Sequence, residues 1–161
     1  MRSVTGINIP NETRYFVPLG TDWELRQIPM KASAAISDGC AIGVEISSTT
    51  TTWYATKLPA TNASGGNFIG ILAEKISSTD DDYATAGKLK LVSIPKSKTA
   101  TAKFLVWAGT FTAVDINKVV NFHSDSLSLA VDTQGLGAVI TGYIDATHWI
   151  CKFTVPDTVT A

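Results

Sequence analysis

Charge is the first thing this chain has little of. Asp, Glu, Lys and Arg make up 17% of its 161 residues, against about 25% in an ordinary domain. Thr, Ser, Ala and Gly fill the deficit, as in SSTTTTW (47–53) and KSKTATAK (96–103). Combined with a mean hydropathy of +0.16, this suits a chain that covers much of its surface with partners. A free monomer usually keeps more charge outside to stay dispersed. Basic clustering is missing too. The formal net charge is −1, and the densest basic run, Lys88, Lys90, Lys96, Lys98 and Lys103, is strung through strand-like sequence. Phosphate binding displaces counterions with clustered Lys and Arg, so nucleic acid is not an expected partner. These lysines read as a solvated face.

Apolar runs near 20 residues are absent, so no membrane span is expected. The opening MRSVTGINIP (1–10) lacks the apolar centre of an export signal. Cysteine is limited to Cys40 and Cys151, which match no metal-ligand spacing. Cys40 shares the parity of Ile42, Val44 and Ile46, and Cys151 that of Trp149 and Phe153, so both are expected to point inward. Two small buried thiols and a disulfide both fit that placement.

Reactive constellations are equally scarce. SIPK (93–96) has Ser-x-x-Lys spacing, but that chemistry needs the serine at a helix start, and here a proline interrupts strand-like sequence. His123 and His148 have no cysteine or carboxylate at useful spacing and read as surface or half-buried side chains. TDDDY (79–83) lacks the spaced ligands and distal Glu of a calcium loop, and reads as a solvated acidic loop or a helix cap. GLGAVITG (135–142) has neither phosphate-loop spacing nor a helix to follow. Asn11 and Asn62 open formal glycosylation sequons that matter only on a secreted chain. No enzyme activity, metal or cofactor is expected.

What is present is alternation. Ile42, Val44 and Ile46 fall on one side of AIGVEIS (41–47), and Trp149, Cys151, Phe153 and Val155 on one side of HWICKFTV (148–155). Further strand candidates are TWYATKL (52–58), KLKLVSI (88–94), AKFLVWA (102–108), KVVNFH (118–123) and LSLAV (127–131). Turn signals such as SDG, NASGGN and DTQGLG separate them. Many short strands with regular punctuation predict a mainly β chain, a compact barrel-like domain. Short helical pieces are expected at 79–87 and 113–118.

Residues 1–30 differ. Pro10, Pro18 and Pro29 remove ladder donors and favour extended backbone, while Val4, Ile7, Ile9, Tyr15, Phe16, Val17 and Trp23 are too apolar for a plain disordered tail. Two readings fit: an extended arm (1–30) ahead of a β-rich domain (31–161), or a first strand with irregular loops.

Glycine is placed twice in the same setting. NFIGIL (67–72) and VITGYI (139–144) each hold a glycine inside a β-forming run, where it marks a bulge, bend or close backbone approach. Strand, turn, strand and turn precede both, and Gly70 and Gly142 lie 142 − 70 = 72 residues apart. This is an echo between two β units rather than a short repeat. Two units that each turn a corner at glycine are expected to curl around a common core, closing the sheet and hiding its edges.

Several of these stretches together resemble the head decoration proteins of tailed phages, the lambda-like capsid-stabilising class and its larger relatives. The likeness spans 31–156 and lies in ISDGCAIGVEI (36–46), KLPA (57–60), FIGIL (68–72), VWAGTFTAVDINKVVNF (106–122) and ITGYIDATHWICKFTVP (140–156). The chain departs from the class in a longer, aromatic-bearing leader and in Thr-rich loops. The resemblance implies a non-enzymatic β-barrel or β-tulip-like protein without cofactors. It implies a homo-oligomer, a trimer above all, made in the host cytoplasm and bound to the major capsid protein on the outer surface of the virion. N-terminal arms would add strands to the shell. On that expectation Val4, Ile7, Ile9, Tyr15, Phe16 and Val17 contact the capsid, and Trp107 and Phe111 lie at the subunit interface. The alternative is a carbohydrate- or receptor-binding β module of a phage fibre or bacterial surface, using Trp53, Tyr54 or Trp107 as a stacking platform.

Overall fold

The computed structural model describes residues 16–44, 54–58, 67–105, 111–122, 129–134, 138–145 and 147–153. The chain is mainly β, as the alternation predicts. Its strands are β1 (Val17–Leu19), β2 (Trp23–Met30), β3 (Ala41–Val44), β4 (Ala55–Lys57), β5 (Asn67–Leu72), β6 (Lys88–Pro95), β7 (Thr101–Leu105), β8 (Val119–Phe122), β9 (Leu129–Gln134), β10 (Ala138–Tyr143) and β11 (His148–Phe153). A 3-10 turn, Ala113–Asp115, falls inside the expected helical piece at 113–118. The other, at 79–87, is instead a series of tight turns, with Tyr83 N–H donating to Asp80 O and Thr85 N–H to Asp82 O.

Two units follow one plan. Strands β2 to β6 form a closed barrel in the order β2-β4-β3-β5-β6, and β7 to β11 lie in a six-stranded sheet ordered β1-β7-β11-β10-β8-β9. Read from β4, the barrel runs β4-β3-β5-β6-β2; read from β9, the sheet runs β9-β8-β10-β11-β7. The two orders are the same. They differ at the seam. In the barrel β2 meets β4 through the parallel pair Met30↔Ala55, whereas in the sheet β7 takes β1 on that side, with Val17↔Lys103, Pro18↔Ala102 and Leu19↔Thr101. The expectation that both units help close one sheet is therefore corrected. The second unit is an open sheet, and its inner face is filled by Phe16 and by the outside of the first.

That filling is aromatic. Phe68 of β5 stacks on Phe153 of β11 at 4.2 Å and 10°. Phe16 meets the same ring edge-on at 5.4 Å, and Trp23 at 6.0 Å. Around them Ala41, Leu58 and Ile71 from the barrel side join Ala102, Phe104, Phe111, Ile140, Trp149 and Cys151 from the sheet. A second cluster, Met30, Ile36, Cys40, Ile42, Ala55, Leu72, Ile76 and Val92, fills the barrel itself. The cysteines are buried, one per cluster, and carry no disulfide.

The leader is shorter than an arm ending at residue 30. Phe16 is 1% exposed, Val17 begins an edge strand, and β2 pairs with β6 along its whole length. Trp23 Nε1 donates to Thr101 O at 3.0 Å, tying the barrel to the sheet. Of the prolines that suggest an arm, Pro10 lies outside the described residues; Pro18 and Pro29 are accommodated at positions that need no second ladder partner. Pro18 lies in an edge strand, and among the described residues β2 pairs on its far side only at Met30, as strand proline requires. Residues 16–30 therefore belong to the body.

Both glycines sit immediately after a bulge. Ile42 faces Gly70 and Gly43 faces Phe68, leaving Ile69 as the extra residue. Ile140 faces Cys151 and Gly142 faces Ile150, leaving Thr141 extra. The bulges are read against different neighbours, β3 in one case and β11 in the other. A Cβ on Gly70 would fall on the Ser93 carbonyl and 2.6 Å from Val92 Cγ1, but one on Gly142 meets nothing within 4 Å. Gly70→Ala is therefore expected to cost about 3 kcal/mol or more, the range of severe overpacking, and Gly142→Ala within about 0.5 kcal/mol, as measured by urea unfolding. In the same assay Phe153→Ala should cost about 3–5 kcal/mol, the value for a large core aromatic.

Candidate interaction surface

Strand β6, K-L-K-L-V-S-I-P, reverses its expected polarity. The alternation was consistent with lysines outside and leucines inside, yet Lys88 and Lys90 are 5% and 8% exposed while Leu89 and Leu91 are 54% and 36% exposed. The solvated-face expectation for these two lysines is thus corrected. The reason is a set of partners supplied by the turns just before the strand. Lys88 Nζ donates to the Tyr83 carbonyl and lies 5.2 Å from the centre of the Tyr83 ring. Lys90 Nζ lies 3.2 Å from Asp82 Oδ2 and 3.8 Å from Glu74 Oε2. Glu74 Oε1 also accepts the Leu91 N–H at 3.0 Å. Buried ammonium groups are tolerated when paired and hydrogen-bonded. The Asp82 hydrogen bond holds the Lys90 pKa above its ordinary value, against the opposing effect of burial.

With lysine inward, the outward positions of β2 and β6 form one face. Cross-strand pairing sets Leu25 against Ser93, Gln27 against Leu91 and Pro29 against Leu89. None of the six is charged, and Leu25 is 61% exposed. The charges of these strands, Glu24, Arg26, Lys88 and Lys90, all occupy the other parity; Arg26 and Glu24 pair with each other at 3.1 Å. The face begins where the intramolecular interface stops, since Trp23, one step earlier on the same side, is covered by the sheet. The equivalent strands of the second unit, β7 and β11, bring Lys103 opposite Ile150 and Thr101 opposite Lys152. There the outward positions carry charge.

The remaining perturbed carboxylates have local structural roles. Asp115 accepts the Thr112 N–H at 2.7 Å and Lys118 Nζ at 2.9 Å, and the Lys118 hydrogen bond first, then that of Thr112, holds its pKa below the ordinary value. Asp145 Oδ1 accepts the backbone N–H groups of Thr147 and His148 at 2.9 and 2.8 Å and lies 3.0 Å from His148 Nδ1. Its pKa is also held well down, chiefly by the Thr147 N–H. Burial raises the Cys151 thiol pKa, so that sulfur is not a poised nucleophile. Asp80 and Asp82 of the acidic run serve a turn, through the Ser77 N–H at 2.8 Å, and the Lys90 pair. No group of three His, Cys, Asp or Glu converges among the described residues.

The expected contact residues separate. Phe16 and Phe111 are core side chains of their own chain, Phe111 packing on Phe104 and Trp149 at 5.7 and 5.8 Å. Neither is available to a capsid or a neighbouring subunit, because each fills the inner face of the open sheet. Val17 is half-buried in β1. Val4, Ile7, Ile9, Tyr15 and Trp107 lie outside the described residues, as do Trp53 and His123. Tyr54 rests against Gly87 rather than forming a platform; a Cβ on Gly87 would sit 3.2 Å from its ring. The leucine face was missed because periodicity gives two sides without saying which is inside. The acidic run five residues ahead of K-L-K was the available signal.

No family model matches the chain, and neither the curated proteins nor the solved structures contain a match.

Two measurements check this account. Leu91→Ser is expected to change unfolding free energy by no more than about 0.5 kcal/mol, while Val92→Ala next to it costs about 2 kcal/mol. The depressed carboxylates of Asp115 and Asp145 contribute stability that is fully present above the ordinary carboxylate range and is lost as pH falls through their folded values. Unfolding midpoints should therefore drop on acidification, and less steeply in the Asp115→Asn, Asp145→Asn double variant.

Proposed function

We propose that this chain is a non-enzymatic structural protein that works by packing against other protein, a decoration or cement protein on the outer surface of a phage capsid. In this reading it binds the major capsid protein, acts as a homo-oligomer, a trimer above all, and stabilises the expanded head. The observation that carries the reading is the uncharged leucine face on β2 and β6. An exposed apolar patch marks a contact surface, and this one exists because four charged residues were turned to the other side. The resemblance of 31–156 to decoration proteins supplies the kind of partner. The low charge of the whole chain and the structural employment of its perturbed carboxylates point the same way. Many weak copies of one contact, repeated over a shell, accumulate through multivalency.

Shell contact by the leader now falls to the residues before Phe16, including Val4, Ile7, Ile9 and Tyr15, since those after it are part of the body. Strand addition by such a segment would draw main-chain hydrogen bonds from the shell and specificity from alternate side chains. A second reading, a carbohydrate-binding β module, draws on Tyr143, which is exposed at the end of β10 with its ring 5.2 Å from that of Trp149. It predicts binding to a glycan array that is lost on Tyr143→Ala.

Two deletions test the leading reading by co-sedimentation with expanded capsid shells. Removing residues 1–15 should leave the far-UV circular dichroism unchanged and abolish shell binding. Removing residues 1–29 should unfold the body, because it takes away Phe16, Trp23 and nearly all of β2. Undiminished shell occupancy after the shorter deletion would overturn the arm contact, and failure of the intact chain to bind any shell would overturn the capsid reading.

A further inference from the structure

We propose that in the free protein the chain's own leader, residues 1–15, lies across the outward face of β2 and β6. The docking stands without a shell. Joined to the capsid reading it adds regulation, and that step alone rests on it: release presents leader and face to a shell together. The path of the chain is the first observation. Leu19 is level with Thr101, whose carbonyl accepts the Trp23 indole N–H. Three residues earlier, Phe16 N–H donates to Gly39 O at 3.0 Å, and Gly39 N–H to Leu72 O at 2.7 Å. Beside Leu72, Ala73 N–H donates to Leu91 O at 2.9 Å. Traced back toward residue 1, the chain climbs from the level of Trp23, where the face begins, to that of Leu91 in its middle. It leaves the described residues over β3, which β5 alone separates from β6, about 10 Å at the usual strand spacing. The leader, fully extended, reaches about 50 Å.

The second observation is continuity. Ala41 stands opposite Ile71, Ile71 opposite Ser93, and Ser93 opposite Leu25, one row across four strands. Its first two members belong to the cluster that holds Phe16, and its last is 61% exposed. A segment entering at Phe16 follows this row outward onto the face. The third is chemistry. Residues 3–10, SVTGINIP, carry no charge and hold Val4, Ile7 and Ile9. The face is uncharged as well, and the charges beside it are matched within the chain, Arg26 by Glu24 and Lys90 by Asp82 and Glu74. A charged occupant would be buried there without a partner. Tethering favours the leader over any foreign segment of equal affinity, because a short linker gives an effective concentration on the order of millimolar.

Paramagnetic broadening tests this on the full chain. Cys40 and Cys151 are buried, so a nitroxide is placed selectively on a Ser3→Cys variant. With isotope and nitroxide on the same chain, the amide signals of Leu25, Gln27, Leu89 and Leu91 are expected to lose intensity. They should keep it when isotope-labelled chain without nitroxide is mixed with unlabelled chain that carries it. The loss should vanish in a Leu25→Lys, Leu91→Lys double variant with unchanged circular dichroism. Should that variant fail to fold, Ile7→Ser with Ile9→Ser, ahead of the body, carries the same test. Full intensity in the intact chain overturns the docking, and so does a loss that survives the substitutions. Broadening in the mixed sample assigns the face to another copy's leader and overturns it too. Shell co-sedimentation of the same samples separates this from the proposed function. A leader off the face in a chain that binds shells removes the docking and leaves the capsid reading standing; a docked leader in a chain that ignores shells does the reverse.

Discussion

The Phe153 ring is the point on which the structure turns. Phe68 stacks on its face, Phe16 and Trp23 meet its edge, and these four residues come from the barrel, the leader and the sheet. Offset and edge-to-face contacts of this kind add to the free energy of burying the rings. They also fix geometry. The open sheet must lie over the outer side of β3 and β5, with Phe16 filling the space between. Trp23 at the start of β2 is the last residue of β2 on this interface, and beyond it the outward face of β2 and β6 is left to solvent or to a partner.

The two units show how one strand order gives two results. In the barrel, β5 approaches β6 so closely at Gly70 that no side chain fits, and the ladder closes through Met30 and Ala55. In the sheet, the corresponding glycine has open space around it, and β1 takes the position next to β7. Closure reduces the strand edges that the barrel presents, although among the described residues β2 meets β4 only at Met30. The open sheet keeps β1 and β9 as its edges, and β1 is blunted by its length of three residues and by Pro18.

The polarity reversal in β6 links the burial of two lysines to the character of the outer surface. Burying Lys88 and Lys90 requires Tyr83, Asp82 and Glu74 to be held over them; the turns from Ser77 to Gly87 place Tyr83 and Asp82, and Glu74, just after β5, is tied to β6 by the Leu91 N–H. Breaking one partner of such a pair leaves a poorly solvated charge, so the arrangement constrains the chain rather than adding a large net stabilisation. Its consequence is external: Leu89 and Leu91 face outward beside Leu25. An exposed apolar face is thereby made without any special motif.

Much of the architecture was legible in the residues themselves. Alternation located the strands from β3 to β11, the two glycine runs announced paired units and bulges, and parity placed Cys40 and Cys151 inside. These are local properties, set by side-chain period and backbone freedom. The leader was harder to read because its prolines suit both a free arm and an edge strand. Only the aromatic cluster, formed between residues more than a hundred positions apart, decided that Phe16 and Trp23 belong to the body. The leucine face was illegible for a related reason. An alternating strand has two sides, and the side that becomes interior depends on what the rest of the chain brings to it; here Tyr83 met Lys88, the carboxylates of Asp82 and Glu74 met Lys90, and the leucines were left outside.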